Sequence, residues 1–192
     1  MTDYPNWFEV TAKQNFEKHL LPLAGIYNLK FLQLGAFTGD ASKWMLDNIL
    51  TGSYSKLTDV DTWEGSDEEV HKSIDFNEVI KIYRKRLNNN APVVPFAETT
   101  ISYLLDTARP RSYTYDFIYV DADHTTVGVI LDAELSWPLL KSGGIMAFDD
   151  YEWGSNLPMH LRAKPGIDLF MLRHDGEYEL LTKNQQVWIR KR

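Results

Sequence analysis

A chain of 192 residues holds one core of useful size and leaves too little for two, so residues 1–192 are read as a single domain. Hydrophobic residues at 44% and charged residues at 24% match ordinary globular usage and exclude a fibrous or largely disordered chain. A net charge of −7 with scattered bases offers nucleic acid no positive face. The lack of cysteine excludes disulfides, thiolate ligands and a Cys nucleophile, and leaves Mg²⁺ and similar hard cations as metal candidates. The first residues, Met1-Thr2-Asp3-Tyr4-Pro5, carry no basic stretch followed by an apolar one, and no window reaches the roughly 20 apolar residues of a membrane span. A cytoplasmic protein with no membrane part is expected.

In chain order, short β-rich runs alternate with amphipathic helical stretches, the pattern of a parallel sheet covered by helices. Leu29 to Leu34 is the first strand, closed by the turn Gly35-Ala36-Phe37-Thr38-Gly39. Ala41, Trp44, Met45 and Ile49 then keep helical spacing. Ser55 to Asp61 is the second strand, and Ser66 with Glu69 resembles a capping box that opens a short helix. A longer helix from Asp75 places Phe76, Val79, Ile80, Tyr83 and Leu87 on one face and ends at Asn88-Asn89-Asn90. Pro92 to Phe96 is the third strand, and Glu98 to Asp106 a helix with Ile101, Leu104 and Leu105 inward. Tyr115 to Val120 is the fourth strand, followed by a helix expected to bury Val127, Ile130, Leu131 and Leu135 and to end near Trp137, before Pro138. After a turn at Lys141-Ser142-Gly143-Gly144, Ile145 to Phe148 is the fifth strand. Tyr178 to Leu181 and Val187 to Arg190 close the chain as two paired strands.

In open α/β sheets ligands bind at the carboxyl ends of the strands, where loops converge and helix N-termini point into the crevice. The polar oddities of this chain gather there: the glycine turn after strand one, Asp61 after strand two, Asp121 and Asp123 after strand four, and Asp149 and Asp150 after strand five. Glycine lets a ligand approach the backbone closely. Ala36 and Phe37 stand where a dinucleotide fingerprint wants Gly-x-Gly-x-x-Gly, which disfavours a pyrophosphate. Asp61, about twenty residues further on, is placed to accept hydrogen bonds from ribose hydroxyls; the structural alternative is a tight turn with Asp61 capping a loop. Asp149 and Asp150 are adjacent like charges whose repulsion a cation would relieve, and with Asp121 they offer three oxygen ligands suited to Mg²⁺ or Ca²⁺. Asp123 or His124 is the candidate catalytic base, with Asp123 equally placed to cap the next helix. No Gly-x-Ser-x-Gly turn and no phosphate-binding Gly-x-x-x-x-Gly-Lys loop is present.

Four segments carry a family resemblance: Phe31 to Asp40, Leu57 to Gly65, Asp116 to His124, and Trp137 to Tyr151. In this order they resemble class I S-adenosylmethionine-dependent methyltransferases, and more narrowly the small-molecule O-methyltransferases of the macrocin and catechol types. The resemblance runs from about residue 29 to residue 153, leaving residues 154–192 as substrate cover and terminal strand pair. It implies an α/β Rossmann-like three-layer sandwich whose seven-stranded sheet is mostly parallel with an antiparallel C-terminal strand pair. It also implies S-adenosylmethionine as cofactor, with Gly35, Ala36, Phe37 and Gly39 around its methionine part, Asp61 on the ribose, Trp63 and Ala97 near the adenine, and Asp121 adjoining. Asp121, Asp149 and Asp150 correspond to metal ligands, with Asp123 or His124 near the base position. The implied acceptor is a hydroxyl on a sugar, phenol or catechol. Two positions depart from the pattern: Gln33 stands where an acidic residue is common, and Ala97-Glu98-Thr99 where Gly-x-Ser is common. A nicotinamide-dependent oxidoreductase and a catalytically idle nucleoside-binding module are the rival readings.

Overall fold

The computed structural model describes residues 4–66, 69–87, 92–107 and 114–192; Met1-Thr2-Asp3 and the expected helix break at Asn88-Asn89-Asn90 lie outside them. Seven strands form one sheet: β1 (Lys30–Leu34), β2 (Lys56–Asp61), β3 (Val93–Ala97), β4 (Tyr115–Val120), β5 (Leu140–Phe148), β6 (Tyr178–Lys183) and β7 (Val187–Lys191). Their spatial order is β3-β2-β1-β4-β5-β7-β6. The pairs from β3 to β5 are parallel, and β7 runs antiparallel to both β5 and β6. The expected sheet, mostly parallel with an antiparallel final pair, is therefore present. Strand order reverses between β1 and β4, which opens a crevice at their carboxyl ends.

Alternating residues of the buried strands feed two cores, as the pleat requires. Phe31, Leu57, Phe117, Tyr119, Ala147 and Trp188 face α1 (Lys13–Leu20), α2 (Asp40–Asn48) and α3 (Phe76–Leu87). Leu32, Leu34, Val60, Ile118, Met146 and Ile189 face α4 (Thr100–Thr107), α5 (Thr126–Ser136) and α6 (Ala163–Arg173). Three layers result. Helix α1, which continues a π-helical turn at Phe8–Ala12, had no counterpart in the sequence reading. It inserts Phe16 edge-on against Phe117, Tyr119 and Trp188, at ring distances of 5.8, 4.9 and 5.1 Å.

Several expected details come out differently. In α5, Val127 and Leu131 are exposed, while Gly128, Val129, Asp132, Ala133 and Ser136 are buried. The helix is apolar almost all round, so its contact face is chosen by closeness and not by bulk: at Gly166 of α6 a Cβ would lie 2.5 Å from the Thr126 carbonyl oxygen. In α4, Tyr103 and Leu104 turn inward while Ile101 and Leu105 are exposed. The turn at Lys141 to Gly144 is absorbed into β5 as an irregularity, with the register stepping from Tyr115↔Leu140 to Phe117↔Ile145. The short helix after β2 is a 3₁₀ turn, Glu69–Ser73, and the Ser66 hydroxyl meets His71 Nδ1 at 2.7 Å instead of forming the expected capping box.

One core residue is a carboxylate. Asp59 of β2 is fully buried and accepts a hydrogen bond from the Tyr83 hydroxyl at 2.7 Å, while nearby Ser42 donates to Gln33 Oε1 at 3.2 Å. Burial pushes the Asp59 carboxyl up to about 7 against the help of Tyr83 and Ser42, and the neighbouring Asp61 charge adds to the rise. A carboxyl raised on folding costs stability as pH climbs from the unfolded value near 4 to the folded value, and the cost persists above it. Asp59→Asn, of the same shape, is therefore expected to stabilise the fold at pH 8 by at least about 1 kcal/mol, with the gain vanishing toward pH 4. Thermal unfolding across that range reads it, and an unchanged pH profile in the variant would contradict the assignment.

Candidate active site

The rim at the carboxyl ends of the strands begins with one close approach. Gly35 follows β1 at φ +85°, and a Cβ there would sit 1.9 Å from the backbone carbonyl oxygen of Asp121. No side chain fits, so glycine at this point lets the ends of β1 and β4 meet. The chain then turns through Phe37 and Gly39, both at positive φ, and the Gly39 amide closes onto the Ala36 carbonyl at 2.8 Å.

Asp61 at the end of β2 organises this turn. Its Oδ2 accepts the N–H groups of Ala36 and Phe37 at 2.8 and 2.9 Å, and its Oδ1 accepts that of Trp63 at 2.7 Å. The Trp63 indole N–H in turn donates to the Phe37 carbonyl at 2.9 Å. A carboxylate offers about four lone-pair sites, so these three amides leave one for a ligand hydroxyl. Glycine turn, Asp61 and Trp63 thus form one hydrogen-bonded unit. Behind them, Trp63 and Ala97 line a cavity of about 100 Å³ with Ile80, Tyr83, Arg84 and Pro95, smaller than the roughly 300 Å³ at which ordinary ligand pockets begin. A nucleobase would need it to widen. A larger cleft of about 330 Å³, bordered by Leu29, Asp116 and Gly144, lies at the opposite end of the strands.

Over the turn sits an aromatic cover that sequence spacing did not reveal. Trp7 and Tyr4 pack on the Phe37 ring at 5.0 and 6.0 Å, and Phe76 meets it edge-on at 6.3 Å.

The second half of the rim carries the charge. Ligand atoms of Asp121, His124 and Asp150 lie within 4.8 Å of one another: His124 Nε2 is 3.1 Å from Asp150 Oδ2 and 3.5 Å from Asp121 Oδ1. Asp121 keeps 28% of its side-chain surface open, yet its enclosure by the strand ends, together with the negative charge of Asp149, pushes its carboxyl up to about 8 against the pull of His124. Carboxylate oxygens of Asp121 and Asp150 crowded in a confined place fit a divalent cation, and the imidazole beside them fits a proton acceptor.

The expected triplet is assembled only in part. Asp121 and Asp150 belong to the cluster, but Asp149 is engaged elsewhere. Its Oδ2 accepts the Tyr119 hydroxyl and its Oδ1 the Asp150 N–H at 2.8 Å. Burial, with the charges of Asp121, Asp149 and Asp150 adding to it, holds the Tyr119 phenol far above the usual range and keeps it a donor. The two base candidates also separate. Asp123 is exposed, and its Oδ1 accepts the Thr125 N–H at 2.8 Å just before α5, while the capping role weighed for it falls to Thr125, whose hydroxyl accepts the Gly128 N–H at 3.0 Å. His124 points into the cluster with its ring 5.6 Å from that of Trp153.

Comparison with known proteins agrees with this layout. Residues 32–151 match the family described as a methyltransferase domain, which covers every rim residue named above from Gly35 to Asp150. A probable caffeoyl-CoA O-methyltransferase 3 of Dictyostelium discoideum is 32% identical over 101 residues, 50% of this chain and 39% of that protein, so the match spans well under half the relative's length. Among solved structures, an O-methyltransferase from Bacillus cereus in complex with SAH superposes with TM-score 0.64 at 16% identity, covering 100% of this chain and 93% of that one. The MycE methyltransferase of the mycinamycin biosynthetic pathway, in complex with Mg, SAH and mycinamycin VI, superposes with TM-score 0.61 at 12% identity, covering 98% of this chain and 50% of that one. At such identities the structural likeness speaks to the fold, and the family rests on the sequence match: by it, this chain belongs to the methyltransferase-domain family and carries the fold of the S-adenosylmethionine-dependent methyltransferases.

Proposed function

We propose that the chain transfers the methyl group of S-adenosylmethionine to a hydroxyl of a small molecule, with a divalent cation, Mg²⁺ by the donor set, assisting. The observation that carries this reading is the adjacency, across the β1–β4 crevice, of the Gly35 to Gly39 turn with Asp61 on one side and Asp121, His124 and Asp150 on the other. On the first side, Gly35, Ala36, Phe37 and Gly39 receive the amino-acid part of the cofactor, the remaining acceptor site of Asp61 a ribose hydroxyl, and Trp63 and Ala97 the adenine. Bound there, the cofactor supplies a sulfonium methyl that needs only an aligned nucleophile, so orientation provides much of the acceleration. On the second side, Asp121 and Asp150 would hold the cation, since Mg²⁺ commonly takes one or two carboxylates and keeps waters that an acceptor can replace. A cation in that place lowers the pKa of a coordinated hydroxyl and fixes its direction.

His124 then has the proton to manage. The acceptor oxygen forms its bond to the methyl carbon as the carbon–sulfur bond breaks, and His124 Nε2 takes the hydroxyl proton, with Asp150 and Asp121 stabilising the imidazolium. Asp123 holds the start of α5. The exposed Trp153 beside His124 offers a flat apolar wall, which suits a sugar ring, a phenol or a catechol. The Mg and SAH in the MycE complex and the O-methyltransferase names of the other relatives support the same reading.

Calorimetry with S-adenosylhomocysteine, NAD and Mg²⁺ tests the cofactor half. Micromolar binding of S-adenosylhomocysteine and none of NAD is expected, and Asp61→Ala should weaken the former by more than about 1.5 kcal/mol, the loss expected with a charged acceptor. The unliganded melting temperature of the variant separates this loss from disturbance of the turn. Binding of NAD alone would favour an oxidoreductase, and binding of neither nucleotide would remove the cofactor assignment. The catalytic half is read by release of S-adenosylhomocysteine with sugar, phenol and catechol acceptors. His124→Ala should lower turnover by about 100-fold or more, while Asp123→Asn should leave it within a few-fold and lower the melting temperature. The reverse ranking would move the base to Asp123.

A further inference from the structure

The cleft at the amino ends of the strands lies far from the acidic rim and carries the opposite charge. Asp116 stands at the start of β4 and Asp121 just past its end, roughly 16 Å apart at about 3.3 Å per residue of strand. At about 330 Å³ the cleft reaches the size, roughly 300 Å³, at which ordinary ligand pockets begin. Leu29 and Ile145, both buried, give it an apolar wall. Around that wall stand Lys18, His19, Lys141 and Arg190 against one carboxylate, Asp116. This is a concentration of bases on a chain whose net charge is −7.

The carboxylate is already satisfied, and the bases are not. Asp116 Oδ1 accepts from Lys141 Nζ at 2.8 Å, and its Oδ2 from the Lys30 N–H at 2.8 Å. Lys18 Nζ donates to the Thr182 hydroxyl oxygen at 3.2 Å, a neutral partner, and no carboxylate pairs with it among the described residues. Arg190 meets Glu179 at 3.3 Å with 45% and 57% of the two side chains exposed, an arrangement that water screens. His19 shares the same threonine, its Nε2 lying 2.7 Å from Thr182 Oγ1, and stacks on Trp188 at 5.1 Å. Partial burial, with the charges of Lys18 and Arg190 adding to it, holds its imidazole below the usual range, so this corner already repels a further positive charge. The main chain opens toward the same place. Residues 141–144 have no partner in the β4–β5 register, and at Gly143, φ +78°, a Cβ would meet nothing within 4 Å among the described residues.

We propose that this cleft is a second binding site, for a small organic phosphate whose charged group meets Lys18, Arg190 and Lys141 and whose apolar body lies against Leu29 and Ile145. A forked guanidinium beside ammonium point charges suits phosphate oxygens. The inference stands apart from the methyl-transfer reading and survives its failure. Phenyl phosphate is the probe, titrated calorimetrically into the full chain in the presence of EDTA, so that no divalent cation bridges it to the rim. It should bind about tenfold or more tightly than inorganic phosphate, because it alone has a ring to bury. Its affinity should fall as NaCl is added, since charges this exposed are screened. The variant carrying both Lys18→Gln and Arg190→Gln should keep its melting temperature, both side chains being exposed, and weaken phenyl phosphate about tenfold or more. Ser142→Asp, at an exposed position on the lip of the cleft, adds a negative charge while removing no base, and should weaken it as well. His124→Ala, at the rim, should leave it unchanged, and a loss there would place the probe at the rim and overturn the proposal. No binding to the unaltered protein, insensitivity to salt, or unchanged affinity in either cleft variant would overturn it too.

Discussion

The whole site hangs on a contact between backbones. At the end of β1 the Gly35 α-carbon faces the Asp121 carbonyl so closely that a methyl group would stand 1.9 Å from the oxygen. Because strand order reverses between β1 and β4, this is also where the crevice of an open α/β sheet forms. Removing one Cβ brings the Asp61-organised turn and the Asp121 cluster to either side of the same gap. A larger residue would have to push the strand ends apart and, with them, the two halves of the chemistry.

Charge is handled differently in the two halves. Asp61 is satisfied internally by three backbone N–H groups, so its charge is balanced by dipoles that folding already fixes, and a ligand meets a finished turn. Asp121 and Asp150 both lie beside the His124 imidazole, and burial, with the charge of Asp149 next to it, raises the pKa of Asp121. Fixed dipoles suit a neutral ribose. Carboxylates gathered in a confined place suit a cation or a proton in transit. The two sides of the rim are thus distinguished by electrostatics as well as by sequence.

How far this was legible in the sequence depends on what kind of constraint was acting. Strands β1, β4 and β5 could be read because strands buried on both faces are apolar runs, and their ends because carboxylates stop those runs abruptly. The inward face of α5 could not be read from bulk: Val127 and Leu131 look like core residues, but Gly128, crowded by the Asp123 side chain, and Ala133 are the ones buried. Helix α1 was missed because Phe16 and Leu20 are too few to mark a stripe among Lys13, Asn15, Glu17 and Lys18. At Asp149 and Asp150 the sequence alone did not show how the two side chains divide. Successive side chains of an extended chain point to opposite faces, and with Asp150 in a left-handed backbone it is Asp150 that lies beside His124 while Asp149 accepts the Tyr119 hydroxyl.

The same logic extends to what surrounds the rim. Above the glycine turn, Tyr4, Trp7 and Phe76 gather on Phe37, and below it Trp63 packs on Tyr83 at 4.8 Å. The cofactor half is therefore lined by apolar rings on both sides of a backbone that has spent most of its hydrogen bonds. On the other side of the rim Trp153, 36% exposed, is set beside His124 by the bond of its N–H to the Asp150 carbonyl at 3.1 Å. An acceptor reaching His124 thus passes an apolar face and then a cluster of carboxylates. Under the proposed O-methyl transfer, a molecule with a flat or ring-shaped body and adjacent hydroxyls would satisfy both in one pose.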